Sequence, residues 1–347
     1  MAVRLRDVAA HAGVSVKTVS NVVNGYVHVS PRTRALVEAA VAELGYRPNL
    51  SARNLRRGRT GVIALAVPEL GVPYFAELAQ RVIEASADHD FTVLIDQTGG
   101  NPDQERLVLE GIRGHLIDGL IFSALGLGQR ELASRRDTTP LVLLGERIGG
   151  GQTDHVTIDN VAAATEAVLH LARLGRTRVA AIGAQFTATG ETAHLRLSGY
   201  RQGLKQAGLR YDAALVADAP AFHRLDGARA MARLLDRAAP PDAVFAFNDL
   251  LALGALRACH DRGVRVPDDV AIVGFDDIED GRYCVPSLST VSPDKEQIAR
   301  IAVNLLVRRL GQAGDTPPAA TEHVARHQLV IRESSAGTVA SVPLWAR

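Results

Sequence analysis

Lys17 and Asn21 stand about one helical turn apart in the stretch GVSVKTVSNVVN, with Val16 beside them, and these residue types suit the reading of base edges in nucleic acid. Lys donates to guanine O6 and N7, Asn pairs bidentately with adenine N6 and N7, and Val can touch a thymine methyl. Other reactive-looking groups carry less. Ser292 and Lys295 in SPDK have the spacing of a Ser-x-x-Lys nucleophile pair, but the companion motifs of that chemistry are absent and the strand LSTV runs into it. His323 and His327 are four apart, yet HVARHQLVIRE alternates as a strand, which keeps them off one helical face and argues against a metal. GLGQRE at Gly126 follows a strand but carries Glu131 where a dinucleotide fingerprint needs its third Gly. The acidic cluster Asp276, Asp277, Glu279 and Asp280 follows the strand VAIVGF, where a ligand-facing loop is expected, although Glu279 and Asp280 read as a capped turn. These readings leave no enzyme, and neither cofactor nor metal is expected.

Base-reading side chains need a helix to present them. Val8, Ala9, Ala12, Val14, Val19, Val22 and Val23 follow helical spacing on both sides of Gly13, which ends one helix before Ser15 caps the next. Two short helices around a tight Gly turn form a helix-turn-helix, whose second helix can enter a major groove. A third helix is expected in SPRTRALVEAAVAELGY, with Ser30 at its N-cap, Pro31 at its first position, a stripe of Leu36, Val37, Ala40, Val41 and Leu44, and Gly45 as terminator. With Val19, Val22 and Val23 turned inward, Val16, Lys17 and Asn21 share the other face of the second helix. Charge agrees: the first sixty residues hold ten Lys/Arg against three Asp/Glu, while the remainder holds 29 against 35. A basic module of this size suits a polyanion.

The whole chain of 347 residues is 47% hydrophobic and 22% charged, which suits a globular protein of two or three domains. Its first residues lack the apolar region of a signal peptide, and runs such as GVIALAVP are too short to span a membrane, so a cytoplasmic protein is expected. Cys259 and Cys284 are too few for a disulfide framework or a four-thiolate zinc site, and read as small buried hydrophobes. From Gly61 onward, short apolar strands alternate with helical runs, the signature of an α/β fold with doubly wound parallel sheets. Eight strands are expected: GVIALAVP, FTVLIDQT, GLIFSA, PLVLLG, RVAAIGA, ALVADA, AVFAFND and VAIVGFDD. The excursion GERIGGGQTDHVTIDN divides them into two sets of four, hence two Rossmann-like lobes with a ligand cleft at the carboxyl ends of the strands.

The first module, through LRDVAAHAGVSVKTVSNVVNG and HVSPRTRALVEAAVAELGYRPN, resembles the DNA-binding domain of the LacI/GalR family of bacterial repressors. The body resembles that family's regulatory domain, itself similar to periplasmic sugar-binding proteins, in FNDLLALGALRA, VPDDVAIVGFDD, PSLSTV and QLVIRESS, to about Ser335. The resemblance implies a helix-turn-helix domain at 1–48 whose base-reading positions fall on Val16, Lys17 and Asn21, with Thr18 beside them. It implies a hinge at 49–60, where NLSARNLRRGRT is too short to be a stable helix alone and Leu55 falls on the minor-groove wedge, with Arg53, Arg56 and Arg57 near phosphates. It implies an effector and dimerisation domain at 61–338, with lobe 1 at about 61–160 and 292–322 and lobe 2 at about 161–291 and 323–338.

Effector contacts carried over by the resemblance fall on Tyr74, Phe75, Asp159, Arg196, Phe222, Asn248 and Asp276. Phe75 reads equally well as core, and Asn248 as a helix cap. The set suits the hydroxyls and C–H face of a sugar. Pro293 departs from the Gln that some members place there. The function so implied is a repressor that binds an inverted-repeat operator as a homodimer and is released by a sugar or small oligosaccharide; a purine or phosphorylated co-repressor is the alternative, kept by Arg196. The tail SSAGTVASVPLWAR lacks leucine heptads and contains Pro343, so a dimer is expected rather than a tetramer.

Overall fold

The computed structural model describes residues 3–23, 26, 28–46, 59–111, 116–128, 131–132, 134–145, 153–186, 191–311 and 319–337. They form two compact units, Met1–Gly61 and Val62–Arg347. The expected hinge residues Leu55, Arg53, Arg56 and Arg57, and the tail from 338, lie outside the described residues.

The first unit contains α1 (Leu5–Ala12), α2 (Val16–Val23) and α3 (Pro31–Glu43). Gly13 takes φ 65°, a left-handed value that glycine adopts without a Cβ clash, and so turns the chain out of α1. Ser15 Oγ then accepts the Thr18 N–H at 3.1 Å, capping α2. Ser30 Oγ caps α3 by accepting the Thr33 N–H at 3.2 Å, with Pro31 at the first helical position. Val8, Val19 and Val37 are fully buried at the meeting point of the three helices. Leu36 departs from the expected stripe: it is 50% exposed. Adjacent helical residues point about 100° apart, so Val37 takes the inward position, and Tyr46 from beyond the helix joins the core instead.

The body runs β1 (Val62–Val67), α4 (Pro73–Ala87), β2 (Thr92–Gln97), α5 (Pro102–Leu109), β3 (Gly119–Ser123), β4 (Leu141–Leu144), β5 (Asp154–Ile158) and α6 (Asn160–Arg173). It continues with β6 (Val179–Ala184), α7 (Glu191–Gln206), β7 (Val216–Asp218), α8 (Arg224–Leu235), β8 (Ala243–Ala246), α9 (Asp249–Asp261), β9 (Ala271–Phe275) and α10 (Asp280–Tyr283). Last come β10 (Ser289–Pro293), α11 (Lys295–Gly311), β11 (Glu322–Ala325), β12 (His327–Val330) and α12 (Glu333–Ala336). One sheet has the order β11-β5-β4-β3-β1-β2 and the other β12-β10-β9-β8-β6-β7. Pairing is parallel except between β10 and β12.

All eight expected strands form, but each sheet has six strands rather than four. β5 lies inside the segment expected as an excursion. Its first residue, Asp154, is fully buried, where it accepts from Arg309 Nε at 2.7 Å and from Thr321 N at 2.8 Å. Those partners come from far along the chain, so DHVTI carries little local strand signal. HVARHQLVIRE is two strands, not one: β11 joins the first sheet and β12 the second, so His323 and His327 belong to different lobes. The chain therefore changes sheets after β5, after β10 and again after β11, with Asp294 and Arg326 between the strands at the last two changes. α11 packs on the first sheet, against α4, β3, β4 and β5. In the second lobe Tyr200, Phe245, Phe247 and Phe275 are fully buried, and burying each such side chain contributes about 1.5–3 kcal/mol. Cys259 is buried as expected, whereas Cys284 is half-buried; desolvation pushes the two thiols up to about 12 and about 11, so neither is a thiolate at neutral pH.

Candidate functional site

On α2 the apolar and polar faces separate as the spacing requires. Val19 and Val22 are buried, Val16 is 48% exposed, Lys17 is exposed and Asn21 half-buried. A valine left in water beside Lys17 and Asn21 gains nothing from burial in the free protein, so the face suits a partner. Thr18 is placed differently: its hydroxyl lies 2.8 Å from Ser15 Oγ, at the cap of the helix.

The body holds a cavity of about 430 Å³ between its two lobes. Its walls are residues at or just beyond the carboxyl ends of the strands, among them Glu69 after β1, Ser123 at the end of β3 and Leu125 after it, Asn248 after β8 and Asp276 after β9. This is where the doubly wound arrangement leaves helix N-termini and loops free to diverge. Tyr74 and Phe75 occupy the first turn of α4, begun by Pro73 after the extended Val72, and their rings meet edge to face at 5.3 Å. Phe75 both lines the cavity and packs on the core.

Arg196 and Asp276 form the polar floor, Arg196 with 6% and Asp276 with 8% exposure. Arg196 Nε donates to Asn160 Oδ1 at 2.8 Å, Nη1 donates to the Phe247 carbonyl, and the guanidinium lies 3.5 Å from the Phe275 ring centroid. Its remaining side faces Asp276 Oδ1 at 3.9 Å. A buried charge must be compensated, and here the compensation is internal, so the floor offers hydrogen bonds from a neutralised pair rather than a bare cation.

Asn248 lines the cavity but spends its amide locally: Oδ1 accepts the Leu251 N–H at 2.9 Å, capping α9, and Nδ2 donates to the Phe222 carbonyl at 3.0 Å. It therefore holds the backbone of the half-buried Phe222, a residue of the cavity wall. Asp159 is a correction. It is exposed and absent from the cavity wall, and its Oδ1 caps α6 by accepting the Ala162 N–H at 2.8 Å. The next residue, Asn160, turns inward to Arg196 instead. The two are adjacent amides and acids with similar side chains, and only the start of α6 decides which faces in. Pro293 ends β10 on the cavity wall, adding an apolar surface without a donor.

Residues that the spacing did not single out also line the cavity: Glu69, Ser123, Thr157, Gln185, Glu191 and His223. Glu69 and His223 face each other across the lobes at 3.4 Å. Neither sits in a motif, so nothing local marked them. The Ser-x-x-Lys spacing has no catalytic geometry: Ser292 Oγ donates to Asp277 Oδ2 at 2.9 Å, and Lys295 Nζ donates to the Asp276 carbonyl at 2.6 Å. Among the described residues no group of His, Cys, Asp or Glu could hold a metal ion, and no helix is long and apolar enough to cross a membrane.

Residues 4–49 match the model for bacterial regulatory proteins of the lacI family, and residues 168–335 match a periplasmic binding protein-like domain. The chain is 36% identical over 302 residues to the HTH-type transcriptional regulator DegA of Bacillus subtilis (strain 168), covering 85% of this chain and 88% of that one. It is 34% identical over 314 residues to the HTH-type transcriptional repressor CytR of Escherichia coli (strain K12), covering 89% and 90%. Among solved structures, a complex of the transcriptional regulator CelR with cellobiose superimposes with a TM-score of 0.70 at 33% identity, covering 96% of this chain and all 100% of that one. The lac repressor dimer bound to operator superimposes with a TM-score of 0.79 at 26% identity, covering 96% and 99%. Proteins of this kind regulate transcription and are not enzymes. The chain belongs to the lacI family of bacterial regulatory proteins, as a transcriptional repressor with a helix-turn-helix module and an effector-regulated, periplasmic-binding-protein-like body.

Proposed function

We propose that a neutral sugar or small oligosaccharide fills the cavity between the lobes and acts as an inducer, releasing the repressor from an inverted-repeat operator in the cytoplasm. The observation that carries this is the Arg196–Asp276 floor beside the aromatic rings of Tyr74, Phe75 and Phe222. An internally neutralised pair offers donors and acceptors to hydroxyls, and aromatic faces pack against the C–H side of a pyranose. A phosphorylated ligand would meet Asp276, Glu69 and Glu191 together with an arginine already engaged. The likeness to the cellobiose complex of CelR supports a saccharide, and about 430 Å³ is ample for one.

A planar purine co-repressor is the second reading, favoured by the aromatic rings on the wall. Operator contact rests on Val16, Lys17 and Asn21, with the segment of Arg53, Leu55 and Arg56 as hinge. Two copies bring two reading helices to the two half-sites, as expected for a two-fold symmetric dimer. Calorimetry of the full-length protein against cellobiose, other neutral sugars, sugar phosphates and purines tests the reading, with operator affinity measured alongside. Neutral-sugar binding that weakens operator affinity is expected. Tight purine binding that strengthens it would replace the inducer model by the co-repressor one.

A further inference from the structure

Lys295 opens α11, a helix of the first lobe, yet its ammonium reaches the turn that follows β9 in the second. Nζ donates to the carbonyl oxygens of Asp276 at 2.6 Å and Asp277 at 3.0 Å. It pairs with Glu77 Oε2 on α4 at 2.7 Å and stands 5.8 Å from the centroid of the Tyr74 ring. Glu77 grips the same turn with its other oxygen, Oε1 accepting the Glu279 N–H at 3.0 Å. The turn is thus held by a cation and an anion that both belong to the opposite lobe.

It is a turn that needs holding. Asp276 has φ 115° and Asp277 φ 47°, values that residues with a Cβ seldom adopt and keep only where their surroundings over-determine them. The carboxylate emerging from Asp276 at this angle forms the cavity floor with Arg196. The residue type fits the task as well. The chain's basic residues are arginines except at 17, 205 and 295. A compact ammonium with three donors can satisfy two carbonyls and a carboxylate converging from different directions, which a planar guanidinium fork cannot match.

We propose that Lys295, together with Glu77, is the positioning residue of the effector cavity: it holds the turn at Asp276 and Asp277 in the form that aims the Asp276 carboxylate at the ligand, and makes that aim depend on the placement of the first lobe. The proposal rests on the reading of the cavity as the effector site. It gives the body a direct mechanical link between ligand contact and lobe arrangement, because displacing α4 and α11 withdraws the Glu77 acceptor and the Lys295 donor that brace the strained turn from the first lobe.

Hydrogen exchange on the full-length protein tests it without any ligand. The four amides of 276–279 are all hydrogen bonded, to Val291 O, Thr290 Oγ1, Asp249 Oδ2 and Glu77 Oε1, so slow exchange is the starting point. Lys295→Met should speed exchange there about tenfold while leaving β9 and α9 as in the wild type, and Lys295→Arg, which keeps the charge, should return part of the protection. In calorimetry with cellobiose, Lys295→Met should lower affinity about tenfold. Unchanged exchange at 276–279, or faster exchange spread evenly over the second lobe, overturns the proposal. The exchange arm decides it even where cellobiose gives no heat with the wild-type protein, an outcome that counts against the sugar reading alone.

Discussion

Lys17 and Asn21 project from the face of α2 that faces away from the buried Val19 and Val22, so truncating either leaves the three-helix core intact. Lys17→Ala and Asn21→Ala should each weaken binding to the best operator by about 1–3 kcal/mol and relax preference at one base position per half-site. Gel-shift titrations against cognate and scrambled DNA check this; undiminished discrimination in both variants would move the reading face elsewhere. Asp249 supplies a prediction of a different kind. It is fully buried, and desolvation, reinforced by the nearby Asp276, raises its carboxyl well above the ordinary range despite hydrogen bonds from Thr290 Oγ1 at 2.6 Å and Ile278 N at 3.0 Å. A folded-state value above the unfolded one means that protons stabilise the fold: the contribution is complete below about pH 4 and is lost as pH rises through the raised value. Asp249→Asn mimics the protonated acid, so it should lose less stability than the wild type between pH 5 and pH 8 in urea unfolding. An equal or steeper loss would show that the carboxylate is ionised in the fold. Asp277 has the opposite sign. Burial pushes its carboxyl up, but Arg332 Nη2 at 2.6 Å, Ser292 and Arg282 bring it below the ordinary value, so its contribution is present above the unfolded value and disappears only in acid.

At the scale of elements, the second lobe is assembled from helix pairs packed at glycines. Gly227 on α8 lies against the backbone of Leu251 on α9, and a Cβ at Gly254 on α9 would fall on the Arg224 carbonyl and 2.7 Å from Ala228 N. α6 and α7 repeat the device, with Gly203 against Val168 and Gly199 against the Val161 carbonyl. A methyl group at Gly254 meets backbone that cannot rotate away. Gly254→Ala should therefore destabilise the body by about 1–3 kcal/mol, outweighing the gain of about 1 kcal/mol in helix propensity. Asn248 caps α9 and donates to the Phe222 carbonyl, so displacing the helix also loosens Phe222 at the cavity. Thermal unfolding of the variant, followed with and without cellobiose, measures both effects; a variant as stable as the wild type would mean that the helices can separate freely. The elements themselves were legible wherever caps and periodicity are local: Ser15, Ser30, Pro31 and the eight apolar strands. β5 was not, because its pairing depends on Asp154 meeting Arg309 and Thr321; HVARHQLVIRE was legible as strand, but its division into β11 and β12 was not, because it rests on a change of sheet at Arg326.

For the whole molecule, an exposed apolar group marks one face of the second lobe. Leu225 on α8 and Tyr283 on α10 are exposed, Val285 is 94% exposed, and Arg224 at the start of α8 meets Asp280 at the start of α10 at 3.4 Å, which places the two helix starts side by side. Such a patch suits a second copy of the chain. Light scattering should give a dimer at micromolar concentration, and a variant with both Tyr283→Asp and Val285→Asp should run as a monomer with weakened operator binding. A wild-type monomer or a stable tetramer would overturn the assembly. In that dimer a bound inducer should weaken operator affinity by about 1–3 kcal/mol, set by its differential affinity for the two lobe arrangements. Asp276→Ala should remove the response to cellobiose and leave operator binding in its absence unchanged; retention of the response would move the ligand away from the Arg196–Asp276 floor.

The sequence by itself determined the helix-turn-helix, the division of α2 into a buried and an exposed face, the alternation that specifies two parallel sheets and the strand ends where the cavity-lining residues emerge. Each of these follows from interactions within a few residues: a cap, a left-handed glycine, a period of 3.6 or 2. The tertiary structure alone decided that Asn160 rather than Asp159 reaches Arg196, that Asn248 spends its amide on Phe222, that Glu69 and His223 face across the lobes, and that Lys295 holds the turn at Asp276. Those contacts join residues separated by as many as 154 positions along the chain. Which of two neighbouring polar side chains faces inward, and what it meets there, is set by the packing of distant elements, and no local pattern encodes it.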